Sequence, residues 1–241
     1  MTLALYVIIL FAFVGTFTLE VIAPASGATC DKRWQIYAGA LSAIQIVATL
    51  LAGIVFAEAF AAHSILGWGA TVSPPLLGLA SFGVASFVAY WWHRAMHRSD
   101  ALWRIFHQLH HSPSRIESLT SFYMHPFDGM AATFINAACA YGIFGATTSG
   151  AAWGLLFAGL NNLYIHVDLN TPRWTGPLLQ RPEMHRVHHK RGHHAQNYGL
   201  PVWDLLFGTY ANPKERVQEC GFVPEKESQI AAMLRLKNLG A

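Results

Sequence analysis

The chain has 241 residues, of which 53% are hydrophobic and 12% are charged. That charged share is roughly half the usual one and too small to cover a soluble globule, while an aromatic content of 13% excludes a disordered chain. The three cysteines, Cys30, Cys139 and Cys220, form no C-x-x-C pair, which excludes a disulfide scaffold and a thiolate zinc site. The composition predicts a membrane protein, and its thirteen histidines are the anomaly.

Three apolar runs are predicted to cross the membrane as helices. The first, residues 3–22, is long enough for a hydrocarbon core of about 30 Å, and its one charge, Glu20, lies near its end. A cleaved signal peptide is the alternative for this run, but it has no basic leader and its apolar core is too long. The second run, residues 36–57, carries no charge, and the third, residues 76–92, ends in a Tyr-Trp-Trp sequence typical of a membrane interface.

Two further apolar stretches, residues 129–147 and 151–167, are joined by a short turn and are rich in small residues, which predicts a closely packed helical hairpin. The second stretch contains two asparagines and a histidine, so re-entry or an interfacial position remains the open alternative. We find no repeat or linker, and we therefore expect one membrane domain over residues 1–241.

The basic residues predict the orientation of these helices. All sixteen Lys and Arg fall within 32–33, 94–115 or 173–237, and the loops 58–75 and 145–150 carry none. Because basic residues collect on the cytoplasmic side, the predicted spans place every one of them in the cytoplasm. We expect a multi-pass protein of a bacterial inner membrane or the endoplasmic reticulum, with its histidine clusters and C-terminus cytoplasmic.

Histidines recur in three clusters with helical spacing. On a helix, residues at i, i+3 and i+4 share one face, so each cluster directs its imidazoles the same way, as metal ligation requires. Eight imidazoles exceed what one first-row metal takes, which predicts two metals, although imidazole suits Fe, Zn, Cu and Ni alike. The sequence contains no H-E-x-x-H, so a zinc protease is disfavoured. The cluster histidines are His93, His97, His107, His110, His111, His185, His188 and His189.

The clusters contain no carboxylate, so we expect the metal charge to be balanced by neighbouring groups. We interpret His63, in a predicted outside loop, as an ordinary surface residue. The candidates for metal ligation or for hydrogen bonding to the ligands are His125, His193, His194, Asp100, Asp128, Asp168 and Asp204.

The clusters resemble the fatty acid hydroxylase superfamily of sterol desaturase-like membrane di-iron enzymes. The family pattern is H-x3-H, then H-x2-H-H, then a later H-x2-H-H, and all three occur here. The His125-Pro126 pair, His166, the Asn197-Tyr198-Gly199 sequence and the segment 203–210 also look like the family. The match covers about 93–210, and we expect the catalytic region to span about 76–210.

This resemblance implies an all-α membrane fold: about three transmembrane helices, a helical hairpin and a cytoplasmic helical cap holding a histidine-rich dimetal site. It implies two non-heme irons, dioxygen as co-substrate, and His166 as a ninth ligand. Some relatives have a histidine where this chain has Asn170, so Asn170 is a further candidate. The expected reaction is hydroxylation or desaturation of a fatty acyl, sterol or carotenoid substrate. We find no fused cytochrome b5-like domain, so electrons are expected from a separate reductase or carrier of ferredoxin or cytochrome b5 type.

A metal-transporting or metal-handling membrane protein is the alternative from another class. Transporters hold ions near the middle of the bilayer between broken helices. Here the clusters follow the ends of the predicted spans, among arginines, which favours the enzyme.

Overall fold

The computed structural model describes residues 2–27, 32–193 and 195–240, and the regular elements in these residues are all helical. An isolated antiparallel bridge joins Lys190 and Cys220. The expected all-α fold is therefore confirmed. The α-helices are α1 (Thr2–Ile22), α2 (Lys32–Ala61), α3 (Pro74–Met96), α4 (Asp100–Leu102), α5 (Pro126–Ala137), α6 (Thr148–His166), α7 (Pro182–His188), α8 (Pro201–Leu206), α9 (Pro224–Glu227) and α10 (Ile230–Leu234).

The three predicted spans lie within α1, α2 and α3, which are long and apolar enough to cross a membrane. The helix α1 begins one residue before its predicted run, whereas α2 and α3 extend beyond theirs by two to four residues at each end. Large apolar side chains face outward along these helices; Phe11 is 72% exposed and Leu51 is 61% exposed. Lipid is the environment in which such a surface is stable.

The predicted hairpin is also helical. The helix α5 starts at Pro126, continues through a π-helical turn, Ala138–Ile143, and is followed by α6. Gly145, at a φ of 64°, reverses the chain between them. Proline at the first position of α5 is tolerated because its missing N–H would have no partner within the helix. The helix α5 packs on α2, and α6 packs on α1 and α3.

Small residues let α3 and α6 approach closely. A Cβ atom added to Gly78 of α3 would lie 2.4 Å from the Cβ of Trp153 and 2.7 Å from the backbone nitrogen of Gly154. Such a contact is possible for glycine alone, as expected for helices that pack in lipid. This pairing fixes the end of α3 beside the end of α6, where both helices carry histidines.

The bundle has two chemically different ends. At one end, the loop after α2 bonds to the turn after α5, with the Ile65 nitrogen donating to the Gly142 oxygen at 2.9 Å. At the other end, the Glu20 carboxylate of α1 accepts from the backbone nitrogens of Ser118 (2.9 Å) and Asp168 (2.6 Å). This second end gathers the last turns of α1, α3 and α6 and the first turns of α2 and α5. We call it the histidine end.

Candidate metal centre

Four segments bring histidines to this end of the bundle. The last turn of α3 supplies His93 and ends at His97. A π-helical turn, Trp103–His107, is followed by the second cluster. His166 is the last residue of α6, and α7 supplies the third cluster.

The histidines form two groups, each with ligand-capable atoms that all lie within 4.8 Å of one another. We call them the five-histidine group and the four-histidine group. Seven of the nine residues are buried, and His93 and His97 are half-buried. These are the nine histidines named from the sequence. The five-histidine group is His93, His97, His107, His111 and His188, and the four-histidine group is His110, His166, His185 and His189.

The groups divide the sequence clusters rather than following them. In the second cluster, His107 and His111 belong to the five-histidine group, while His110 belongs to the other. The third cluster divides the other way: His185 and His189 belong to the four-histidine group, and His188 belongs to the five-histidine group. Each H-x2-H-H segment therefore reaches both groups, and the stacked rings of His111 and His189, with centroids 4.1 Å apart, lie between them.

The ring nitrogens converge in a way that hydrogen bonds do not explain. The Nδ1 of His93 donates to the Tyr198 carbonyl (2.6 Å), and the Nδ1 of His107 donates to Asp128 (2.9 Å). When both imidazoles are neutral, each has its one proton on Nδ1, and both Nε2 atoms hold lone pairs. These two Nε2 atoms nevertheless lie 2.8 Å apart.

The four-histidine group repeats this arrangement. The Nδ1 atoms of His110 and His166 donate to the carbonyls of Tyr123 (3.2 Å) and Asn162 (2.7 Å), and the two Nε2 atoms lie 3.2 Å apart. His185 Nε2 lies 3.0 Å from that of His166. Lone pairs that face one another repel, and a cation between them removes the repulsion.

The charge state of the rings suits metal binding. Burial, followed by the neighbouring imidazoles, lowers the pKa of five cluster histidines well below the ordinary value, so they are neutral near pH 7 and keep their lone pairs. The donor set of imidazoles in two groups therefore fits two first-row transition metals. The five are His110, His111, His185, His188 and His189.

Two of the candidate carboxylates, Asp128 and Asp204, hold cluster histidines directly or through the backbone. Asp128, in the first turn of α5, accepts from a cluster histidine. Asp204 acts one step further away, because its carboxylate accepts from the backbone nitrogens of Tyr198 (2.9 Å) and Gly199 (3.2 Å) and so holds the carbonyl that His93 uses.

The other polar candidates are engaged outside both groups. Asp168 accepts from the Ser26 hydroxyl (2.6 Å) and pairs with Arg216. Asn170 is exposed and accepts from the same arginine at 3.2 Å. Asp100 is exposed and bonds to Asn238. Asp168 and Asp100 therefore belong to neither histidine group, and each of the three side chains has partners of its own.

The other described histidines belong to neither group. His125 caps α5, its Nδ1 accepting from the Phe127 nitrogen at 3.2 Å. His193 contacts the Gln196 side chain at 3.2 Å, and His63 is exposed. His194 lies outside the described residues.

Sequence reasoning missed the loop that orients two of the rings. The Gln196 carbonyl accepts from His188 Nδ1 at 2.9 Å, two residues before the carbonyl that His93 uses. Between them, Asn197 adopts a φ of 50° and its buried amide donates to the Met184 carbonyl at 2.8 Å. Asparagine tolerates this left-handed conformation. The Asn-Tyr-Gly sequence was the available signal, but backbone acceptors leave no pattern of side chains.

Comparison with known proteins agrees with this centre. A model of the family described as fatty acid hydroxylase matches residues 78–209, more than half of the chain, and the chain belongs to that family. No solved structure matches.

Three relatives illustrate the similarity. The chain is 34% identical over 147 residues to the ornithine lipid hydroxylase OlsE of Rhizobium tropici, which covers 57% of this chain and 42% of that protein. It is 27% identical to the very-long-chain aldehyde decarbonylase GL1-9 of Oryza sativa subsp. indica, over 69% of this chain and 66% of the relative. It is 33% identical to the alkylglycerol monooxygenase of Xenopus tropicalis, over 60% of this chain and 32% of that protein. The matched region is less than two thirds of each relative.

Proposed function

We propose that this protein is a membrane-bound di-iron oxygenase that hydroxylates an unactivated C–H bond of a lipid-soluble substrate, using dioxygen and electrons from a separate protein. The observation that carries the proposal is the convergence of imidazole lone pairs in two adjacent groups of five and four histidines. The names of the relatives, which include hydroxylases and monooxygenases, support hydroxylation over desaturation. We further propose one membrane domain, residues 1–241, with its catalytic region at about 76–210.

The side chains and backbone of this protein would hold the irons, orient the imidazole rings and enclose the site. Irons bound by the nine histidines would supply the activation of dioxygen needed to attack a C–H bond. The rings enter as neutral ligands, and backbone carbonyls and Asp128 fix which nitrogen of a ring carries the proton. Burial of both groups keeps bulk water away from the reacting atoms, which limits side reactions there.

The proposed location follows from the two ends of the bundle. The histidine end carries the segments that hold all Lys and Arg, so the positive-inside tendency favours its cytoplasmic placement. Electron carriers of ferredoxin or cytochrome b5 type work on that side. The centre lies at the ends of α3 and α6, rather than near the middle of either helix, and this position favours an enzyme over a transporter.

Comparative lipid analysis tests the function. Cells that express the protein should gain lipids heavier by one oxygen atom, while loss of two hydrogen atoms would indicate desaturation. His110→Ala should abolish the product, because it removes a ligand of the four-histidine group, and His63→Ala should not, since that side chain is exposed away from both groups. A fully active His110→Ala variant at normal membrane levels would refute the metal-centre assignment.

A further inference from the structure

A large cavity at the histidine end is not explained by metal binding. Its volume is about 560 Å³, within the usual range of small-molecule sites. Four arginines line it, and we call it the arginine cavity. It is enclosed by the first turn of α2, the segment after the second histidine cluster, α7 and the C-terminal segment. The arginines are Arg33, Arg115, Arg186 and Arg216.

Basic side chains outnumber acidic ones in the described lining of the cavity. Glu227 is the one acidic side chain in its described lining. Arg115 pairs with Glu117 beside the cavity. Arg186 is buried and donates to the carbonyls of Ile116 (3.2 Å) and Val217 (3.3 Å), neither of which neutralises it.

The surroundings of Arg216 disfavour its positive charge. Burial and the nearby Arg186 lower the pKa of Arg216, although Asp168 pairs with it. Its Nε atom is buried without a hydrogen-bond partner among the described residues. Two guanidinium groups of like charge in a half-enclosed space are stabilised by an anion, and Arg binds phosphate and carboxylate with paired N–H donors.

The cavity also has an aromatic surface beside its arginines, since the Arg33 guanidinium lies over the Tyr37 ring, 5.7 Å from the ring centroid. Trp34 and Tyr123 pack with ring centroids 5.0 Å apart, and Tyr37 extends the aromatic surface along α2. Tyr37 is 45% exposed and its neighbour Ile36 is 69% exposed, on the first turns of a helix that is apolar enough to span the membrane. A free anion would make no apolar contacts with this aromatic surface. A lipid has both a charged head for the arginines and an apolar chain for the aromatic rings.

The cavity shares its wall with the metal centre. The Tyr123 carbonyl accepts from His110 Nδ1, and Arg186 directly follows His185 in α7. Both histidines belong to the four-histidine group. A lipid head held here would place its chain next to that group.

We propose that the arginine cavity binds the anionic headgroup of a membrane lipid, a phosphate or a carboxylate, and that lipids of this class are the substrate. The identification as substrate rests on the proposed function, whereas binding does not. Lipid binding and substrate identity are therefore tested by separate experiments.

Binding is tested by calorimetry on the purified full-length protein, with dioctanoyl phosphatidic acid as the probe. Arg33→Gln should weaken binding about tenfold, the effect of losing one charged hydrogen-bonding partner, and Arg33→Lys should recover part of it. Lys32→Gln is the matched control, because it removes the same charge from the neighbouring exposed position, which does not line the cavity. It should leave binding unchanged.

Three results would overturn the binding site. Equal weakening by Arg33→Gln and Lys32→Gln would mean that general surface charge attracts the lipid. Inorganic phosphate binding as tightly as the phosphatidic acid would identify a site for the free anion. Equally tight binding of dioctanoyl phosphatidylcholine, which has no net charge, would remove the role of the arginines.

The substrate arm uses lipid analysis of cells that express each variant. Oxygen should be gained on anionic lipids, and the gain should fall about tenfold in Arg33→Gln but persist in Lys32→Gln. Oxygen gained on neutral lipids alone, and equally in both variants, would overturn the substrate class while leaving the oxygenase intact. No oxygenated product in any variant, with normal binding, would instead count against the proposed function.

Discussion

The groups that accept hydrogen bonds from the imidazole Nδ1 atoms differ in charge. This difference affects how strongly each ring could bind a metal. Backbone carbonyls accept from His93, His110, His166 and His188, whereas a carboxylate accepts from His107. A charged acceptor makes the opposite ring nitrogen a stronger base and a better metal ligand. It also places a negative charge beside a candidate site whose nine residues are all histidines.

Removing that carboxylate should weaken metal binding. We expect Asp128→Ala to lower iron affinity about 10–100-fold, from a starting content of about two irons per chain, as measured by iron retention against graded chelators after anaerobic loading. Asp128→Asn should recover part of the loss, because its amide oxygen still accepts from Nδ1. Asp100→Ala is the control, since Asp100 is exposed and bonds to Asn238. Equal iron loss in the Asp128 and Asp100 variants would contradict the assignment.

At the scale of elements, a π-helical turn sets the position of the second cluster. The Gln108 nitrogen donates to the Trp103 carbonyl at 2.8 Å, five residues back, so one extra residue is accommodated just before His107 and the cluster. Such turns are frequent at functional sites because they rotate the following side chains relative to the preceding helix. Here the turn ends at His107, and His110 and His111 follow it directly.

The contact between α3 and α6 yields a prediction about stability. Gly78→Ala should push the two helices apart and destabilise the protein by about 1–3 kcal/mol, because its added methyl group would overlap Trp153 and Gly154. Gly83→Ala in the same helix meets nothing within 4 Å and should be neutral or stabilising. Thermal unfolding in detergent measures both, and an equal loss in the two variants would show that helix packing is not responsible.

At the scale of the molecule, the Lys and Arg residues and the nine grouped histidines share one end of the bundle. The opposite end, formed by the loops 58–75 and 145–150, carries no Lys or Arg. This asymmetry is the basis of the expected orientation, and the same end contains the arginines of the cavity. The expected orientation also places the centre where soluble electron carriers reach it.

Cysteine labelling tests this orientation. In a chain lacking Cys30, Cys139 and Cys220, a cysteine at the exposed position Ser64 should react with a membrane-impermeant thiol reagent in intact cells. A cysteine at the exposed position Ser228 should react only after the membrane is opened, because that segment belongs to the histidine end. Labelling at position 228 in intact cells would reverse the topology and exclude cytoplasmic electron donors.

The sequence by itself determined the spans and the histidines that meet. Hydrophobic runs define α1, α2 and α3 because transfer into lipid depends on local composition, without reference to distant contacts. The i, i+3 and i+4 spacings placed the cluster imidazoles on common faces for the same local reason. His166 came from the family resemblance, since a lone histidine has no such spacing.

Only the tertiary structure decided how these residues are used. It divided His110 from His111 and selected Asp128 over Asp100, because those outcomes depend on how helices cross and where the chain turns. It also revealed the carbonyls of Gln196 and Tyr198 as partners of ligand rings. Every residue has a carbonyl, so a backbone acceptor is defined by its position in the fold and not by its letter in the sequence.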